Sequence, residues 1–162
     1  MLTGAAASLY DRKPTSGIVV SPDIISALEA ALSAKVDVAP WLLFTYAADS
    51  GKDVSVVLRA VGDGGFEELC GFLAPDQVSF AVASFLDDTK RKFCFLTHVG
   101  SSISGMKRAR VALHKAGIYK AFDGSVCADI MLDDPINGAD VLSKLKGSCS
   151  SSSVVSFKPT PA

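Results

Sequence analysis

The sequence predicts an α/β chain of the α+β type: a single domain with a central mixed sheet of about five strands and helices on both faces. Three observations carry that expectation. Trp41-Leu42-Leu43-Phe44-Thr45-Tyr46 is apolar in both strand registers, as in a central strand covered on both faces. Val78 to Leu86 and Phe93 to Val99 flank the short turn Asp87-Asp88-Thr89-Lys90, which makes them an antiparallel hairpin. Helix starts are signalled at Ser21-Pro22-Asp23 and at Asn137-Gly138-Ala139-Asp140. The chain has 162 residues, is 49% hydrophobic and has a mean hydropathy of +0.34, so it can bury a sizeable core.

The elements follow in order. Residues 1–20 form an irregular arm interrupted by Gly4, Pro14 and Gly17. The helix capped by Ser21 places Ile24, Leu28, Ala31 and Leu32 on its inner face and ends before Pro40. After the strand at Trp41, Asp49-Ser50-Gly51-Lys52 has turn chemistry, and Val54 to Ala60 is a second strand. Gly62-Asp63-Gly64-Gly65 ends it, and Phe66 to Leu73 makes a short helix with Phe66, Leu69, Cys70 and Leu73 on one side. The hairpin comes next, then a long helix from Ser104 to Lys120 and a strand from Val126 to Met131. A last helix from Asn137 buries Val141, Leu142 and Leu145 and stops at Gly147. Residues 21–147 are therefore the domain, and the Ser-rich segment 148–162 is a flexible tail.

Composition excludes several functions. A net charge of -1, three Tyr and one Trp argue against nucleic-acid binding. No apolar run suits a membrane span and no signal-like start is present, so a soluble intracellular protein is expected. Cys70, Cys94, Cys127 and Cys149 form no CxxC pair and are expected as free thiols. His98 and His114 belong to no metal-ligand pattern. Glu67 and Glu68 are adjacent, point in different directions and are expected as solvated surface. Gly62-Asp63-Gly64-Gly65 lacks the spacing of a phosphate loop. No catalytic, cofactor or metal site is expected, and the chain is not expected to be an enzyme.

A local field remains. From Lys90 to Lys120 there are eight Lys or Arg residues and no Asp or Glu. On a helical wheel Met106, Ala109, Leu113 and Ala116 share one side, expected to be buried. Lys107, Arg110 and His114 lie opposite, flanked by Arg108 and Lys115. Lys90, Arg91 and Lys92 repeat the charge at the hairpin base. Together they predict a docking face for an acidic protein surface, with Ile103 and Met106 as its apolar part.

These same residues carry a resemblance. Lys90-Arg91-Lys92-Phe93-Cys94-Phe95-Leu96-Thr97-His98-Val99-Gly100, then Ile103-Ser104-Gly105-Met106 and the basic helix, resemble coactosin. That is the filament-binding branch of the actin-depolymerising factor homology (ADF-homology) family, which also contains cofilin. Trp41 to Tyr46 resembles its first core strand, Gly65 to Leu69 its short helix, and Val78 to Phe85 its central strand. The resemblance implies an ADF-homology fold over residues 21–147. It also implies a cytoplasmic, monomeric, non-enzymatic protein of the actin cytoskeleton that binds the side of filamentous actin and binds monomeric actin weakly or not at all.

By the same resemblance Lys92 is a filament contact, with Lys90 and Arg91 in support. Lys107, Arg108 and Arg110 form the basic start of the long helix, and Lys144 and Lys146 are the contacts left on a short last helix. The serine-bearing start that switches cofilin-type proteins is missing, which tells against monomer binding. Two alternatives stand beside this reading: a cofilin-like protein that binds monomers and severs or depolymerises filaments, and a scaffold for a non-actin acidic partner.

Overall fold

The structure, a computed structural model, describes residues 18–35, 37–47, 54–87, 90–132, 136–148 and 155–156. Its elements are β1 (Ile18–Val20), α1 (Pro22–Leu32), β2 (Trp41–Tyr46), β3 (Val54–Gly62), α2 (Phe66–Cys70), β4 (Val78–Asp87), β5 (Lys90–Val99), α3 (Gly105–Lys120), β6 (Asp129–Leu132), α4 (Gly138–Ser148) and β7 (Val155–Ser156). The strands form one mixed sheet in the order β1-β3-β2-β4-β5-β6, and β7 pairs with β4 off that path. The four central strands are antiparallel to one another, while β1 and β6 join at the edges in parallel. The α+β expectation holds, with more strands than five.

The extra strands come from short segments without strand periodicity of their own. Ile18–Val20, placed in the irregular arm, pairs with Val54 to Val56 and buries Ile18 in the core. Val155–Ser156, placed in the flexible tail, pairs with Leu86 and Asp87. The rest of the expected arm and tail lies outside the described residues.

β4 and β5 pair residue for residue from Val78↔Val99 to Asp87↔Lys90. Alternation along them supplies two cores. On one face Phe44, Phe80, Phe95 and Phe122 stack or tilt with ring centroids 5.3–6.2 Å apart, beneath α1 and α3. On the other, Trp41, Leu43, Phe85 and Leu96 pack against α2 and α4 through Phe66, Leu69, Val141 and Leu145. Ser21 caps α1, as read, but Ile25 is buried where Leu32 was expected, and Leu32 is exposed. Leu142 is only partly buried.

Glu68 is not idle surface. Its Oε1 accepts a 3.0 Å hydrogen bond from Trp41 Nε1, and the carboxylate folds over the end of β3. A Cβ on Gly62 would stand 2.2 Å from Glu68 Oε1, and one on Gly64 2.1 Å from Oε2. Gly62 and Gly64 leave room for the Glu68 carboxylate, and Gly62 for the Trp41 indole as well. Among the described cysteines Cys70, Cys94 and Cys127 are free thiols; Cys149 lies outside the described residues. No helix among the described residues is long and apolar enough to cross a membrane.

Candidate functional site

The predicted basic stretch divides into two clusters. β5 has ten residues, so at roughly 3.3 Å per residue Lys90 stands about 30 Å from Val99, where the chain turns into α3. The hairpin base and the helix start therefore lie at opposite ends of the sheet. Alternation separates them further: Lys90 and Lys92 fall on the face of buried Cys94, the α2/α4 side, whereas α3 covers the other face.

At the hairpin end, Lys92 Nζ donates to Asp87 Oδ2 at 2.6 Å, and Asp87 is nearly buried. Lys90 is exposed. Arg91 points to the opposite face from both lysines. Its guanidinium donates to the carbonyls of Ala34, Lys35 and Val38 just past the end of α1, and it lies 5.8 Å from the Phe93 ring centroid. Arg91 thus ties the loop after α1 to β5, with Lys35 O also accepting from the Val38 amide. α4 brings its basic residues to the same end. Ile136, just before it, lines a cleft with His98 and Ser101, and the helix then runs back to lie against β7. Its last turns thus carry Lys144, paired with Asp140 at 3.2 Å, and exposed Lys146 toward the hairpin base.

The other cluster is on α3. Ser104 caps the helix by accepting from the Lys107 amide. Arg108 is committed to the loop before it, donating to Gly100 O at 2.8 Å and Ile103 O at 3.2 Å, and so supports the helix start rather than extending from it. Ile103 is half-buried against the core. Lys115 pairs with Asp129 of β6 at 3.2 Å. Lys90, Lys107, Arg110 and Lys146 have no ion pair with any described residue.

The helix is rotated relative to the wheel reading. Val111, Gly117 and Ile118 are buried, while Met106 is 72% and Leu113 71% exposed. The wheel holds two candidate stripes, and β-branched Val111 and Ile118, two turns apart, form the one that packs. The other stripe, Met106-Ala109-Leu113-Ala116, contains two small residues and faces solvent. Leu113, read as core, is thus an exposed apolar residue two turns from Met106. Met106 and Leu113 share the seven-residue spacing of Val111 and Ile118, so spacing alone did not mark the true inner face.

Lys107 and Arg110 border a cleft of about 500 Å³ between α3 and the ends of β2, β3 and β4, with Arg59 and Asp76 on its rim. Inside it the Tyr46 hydroxyl and His114 Nδ1 share a 2.9 Å hydrogen bond. Burial pushes the Tyr46 phenol up to about 12. Burial, and then the charge of Arg110, hold the His114 imidazole below its usual value. At neutral pH His114 therefore adds no charge to the cluster.

The comparisons with known proteins agree with this fold. A model of the family described as cofilin/tropomyosin-type actin-binding protein matches residues 17–146. Coactosin of Dictyostelium discoideum is 31% identical over 114 residues, covering 67% of this chain and 75% of that protein. The crystal structure of Entamoeba histolytica coactosin superposes with a TM-score of 0.70 at 19% identity, over 85% of this chain and 100% of that one. Mouse coactosin, described as an actin filament binding protein, gives 0.57 at 17% identity, over 80% and 91%. The chain belongs to the cofilin/tropomyosin-type actin-binding protein family, as a non-catalytic ADF-homology module related to the coactosins.

Proposed function

We propose that this protein binds the side of actin filaments through two separate contacts; mouse coactosin is described as an actin filament binding protein. The observation that carries the reading is the roughly 30 Å separation of the clusters along β5, on opposite faces of the sheet. One contact is Lys90 and Lys92 with Lys144 and Lys146. The other is Met106, Leu113, Lys107 and Arg110, with Arg108 and Ile103 shaping the helix start. Arg91 supports the first contact from behind, through the loop after α1.

A repeating polymer offers acidic surface at regular intervals, so two modest contacts engage together, and their joint strength exceeds either alone. A single actin subunit would meet one cluster, which supports weak or absent monomer binding. An exposed ion pair contributes about 0–1 kcal/mol, so the apolar Met106–Leu113 stripe is the main source of affinity on the helix side. Bound along the filament in the cytoplasm, the protein would obstruct other side binders.

High-speed co-sedimentation with filamentous actin tests this at low and physiological salt. Saturable pelleting is expected, weakened by Lys90→Ala/Lys92→Ala and by Met106→Ser/Leu113→Ser separately. Absence of pelleting at both salts rejects the filament reading. The exposed apolar stripe on one helix favours a second reading, a cofilin-like monomer binder. Tight binding to monomeric actin, lost in Met106→Ser/Leu113→Ser and indifferent to Lys90→Ala/Lys92→Ala, would establish it.

A further inference from the structure

We infer that β7 is a built-in strap beside the hairpin-base cluster, opposing filament contact there; this rests on the filament reading above. β7 pairs antiparallel with the end of β4, Asp87 opposite Val155 and Leu86 opposite Ser156, and it also lies against α4. β5 already fills one edge of Leu86 and Asp87, so β7 lies along the other edge of β4, in contact with the helix that bears Lys144 and Lys146.

Asp87 is held on both sides, by Lys90 of β5 and by Val155 of β7. In that position its carboxylate is nearly buried and takes Lys92 into a 2.6 Å ion pair. With β7 in place, the backbone edge of Leu86 and Asp87 is covered and the Lys92 charge is offset. With β7 displaced, that edge opens, Asp87 gains water and Lys92 is freer to meet an acidic surface. The ladder holding the strap is two residue pairs long, against ten between β4 and β5, so it is the part of the sheet a partner can replace.

The test compares the full chain with a chain ending at Ser148 and with full-length Val155→Pro/Ser156→Pro, which cannot maintain the ladder. Circular dichroism melts establish that each is folded, and co-sedimentation with filamentous actin reads the dissociation constant. Both strap variants are expected to bind about three-fold or more tightly than the full chain. Adding Lys90→Ala/Lys92→Ala is expected to cancel that gain.

Equal or weaker binding by folded strap variants overturns the inference while leaving the filament reading intact. So does a gain that survives Lys90→Ala/Lys92→Ala. Absence of pelleting by every form overturns the filament reading, and the inference falls with it.

Discussion

The Tyr46 hydroxyl and His114 Nδ1 lie 2.9 Å apart, their rings edge to face, so one hydrogen bond joins the end of β2 to the middle of α3. The groups facing it are Arg110 and Lys107 from α3, Arg59 from β3 and Asp76 from the loop before β4. Because the His114 pKa is lowered by folding, the unfolded chain takes up a proton there first as pH falls. The associated stability is present above about 6.5 and is lost as pH drops through the lower folded value. Wild type should lose more melting temperature between pH 7.5 and 5.5 than His114→Gln does. Equal losses would show that the pair does not carry the dependence.

The rotation of α3 makes opposite predictions for neighbouring residues. Met106→Ser/Leu113→Ser should change stability by less than about 0.5 kcal/mol per site, because both side chains already face solvent. Ile118→Ala removes a fully buried side chain and should cost about 2–5 kcal/mol. Urea unfolding of the variants checks both. Large losses at Met106 and Leu113 would restore the wheel reading.

Arg91 and Lys92 are adjacent in sequence and should behave as different kinds of residue. Arg91→Ala strips charged donors from the carbonyls past α1 and should cost about 1–2 kcal/mol of stability. Once folded, it should pellet with filaments nearly as well as wild type. Lys92→Ala takes the ion pair from the nearly buried Asp87 and should also lose stability, but once folded it should pellet more weakly than wild type. Denaturation and co-sedimentation on both proteins decide the matter.

Gly100 lies against the loop before β4, where an added Cβ would stand 2.1 Å from Pro75 O. Gly100→Ala must push backbone apart and should destabilise by about 1–3 kcal/mol. A denaturation midpoint matching wild type would mean that the loop yields.

The fold was largely legible because its main strands announce themselves. Trp41 to Tyr46 is apolar in both registers, and the ten-residue pairing of β4 with β5 follows from a short turn between two apolar runs. The strands at Ile18 and Val155 were hidden because three- and two-residue segments carry no periodicity, and only a neighbour already in place makes them strands. The residue types of the site were legible, but their arrangement was not. Distance along β5 and the alternation of its side chains part Lys92 from Lys107, and the same alternation turns Arg91 to the face opposite Lys90 and Lys92. The commitments of Arg91 and Arg108 to backbone carbonyls follow from where distant segments end, which composition cannot report. On α3 two stripes of similar spacing competed, and the partner surface chose between them.

Glu68, Trp41, Gly62 and Gly64 behave as one unit of inheritance. The indole needs the carboxylate as acceptor, and the carboxylate needs two neighbours without side chains. A side chain at Gly64 would push the Glu68 carboxylate aside, and one at Gly62 would press on the Trp41 indole as well; either leaves Trp41 without that acceptor. Drift at these four positions should therefore be concerted, with replacements arriving together or not at all.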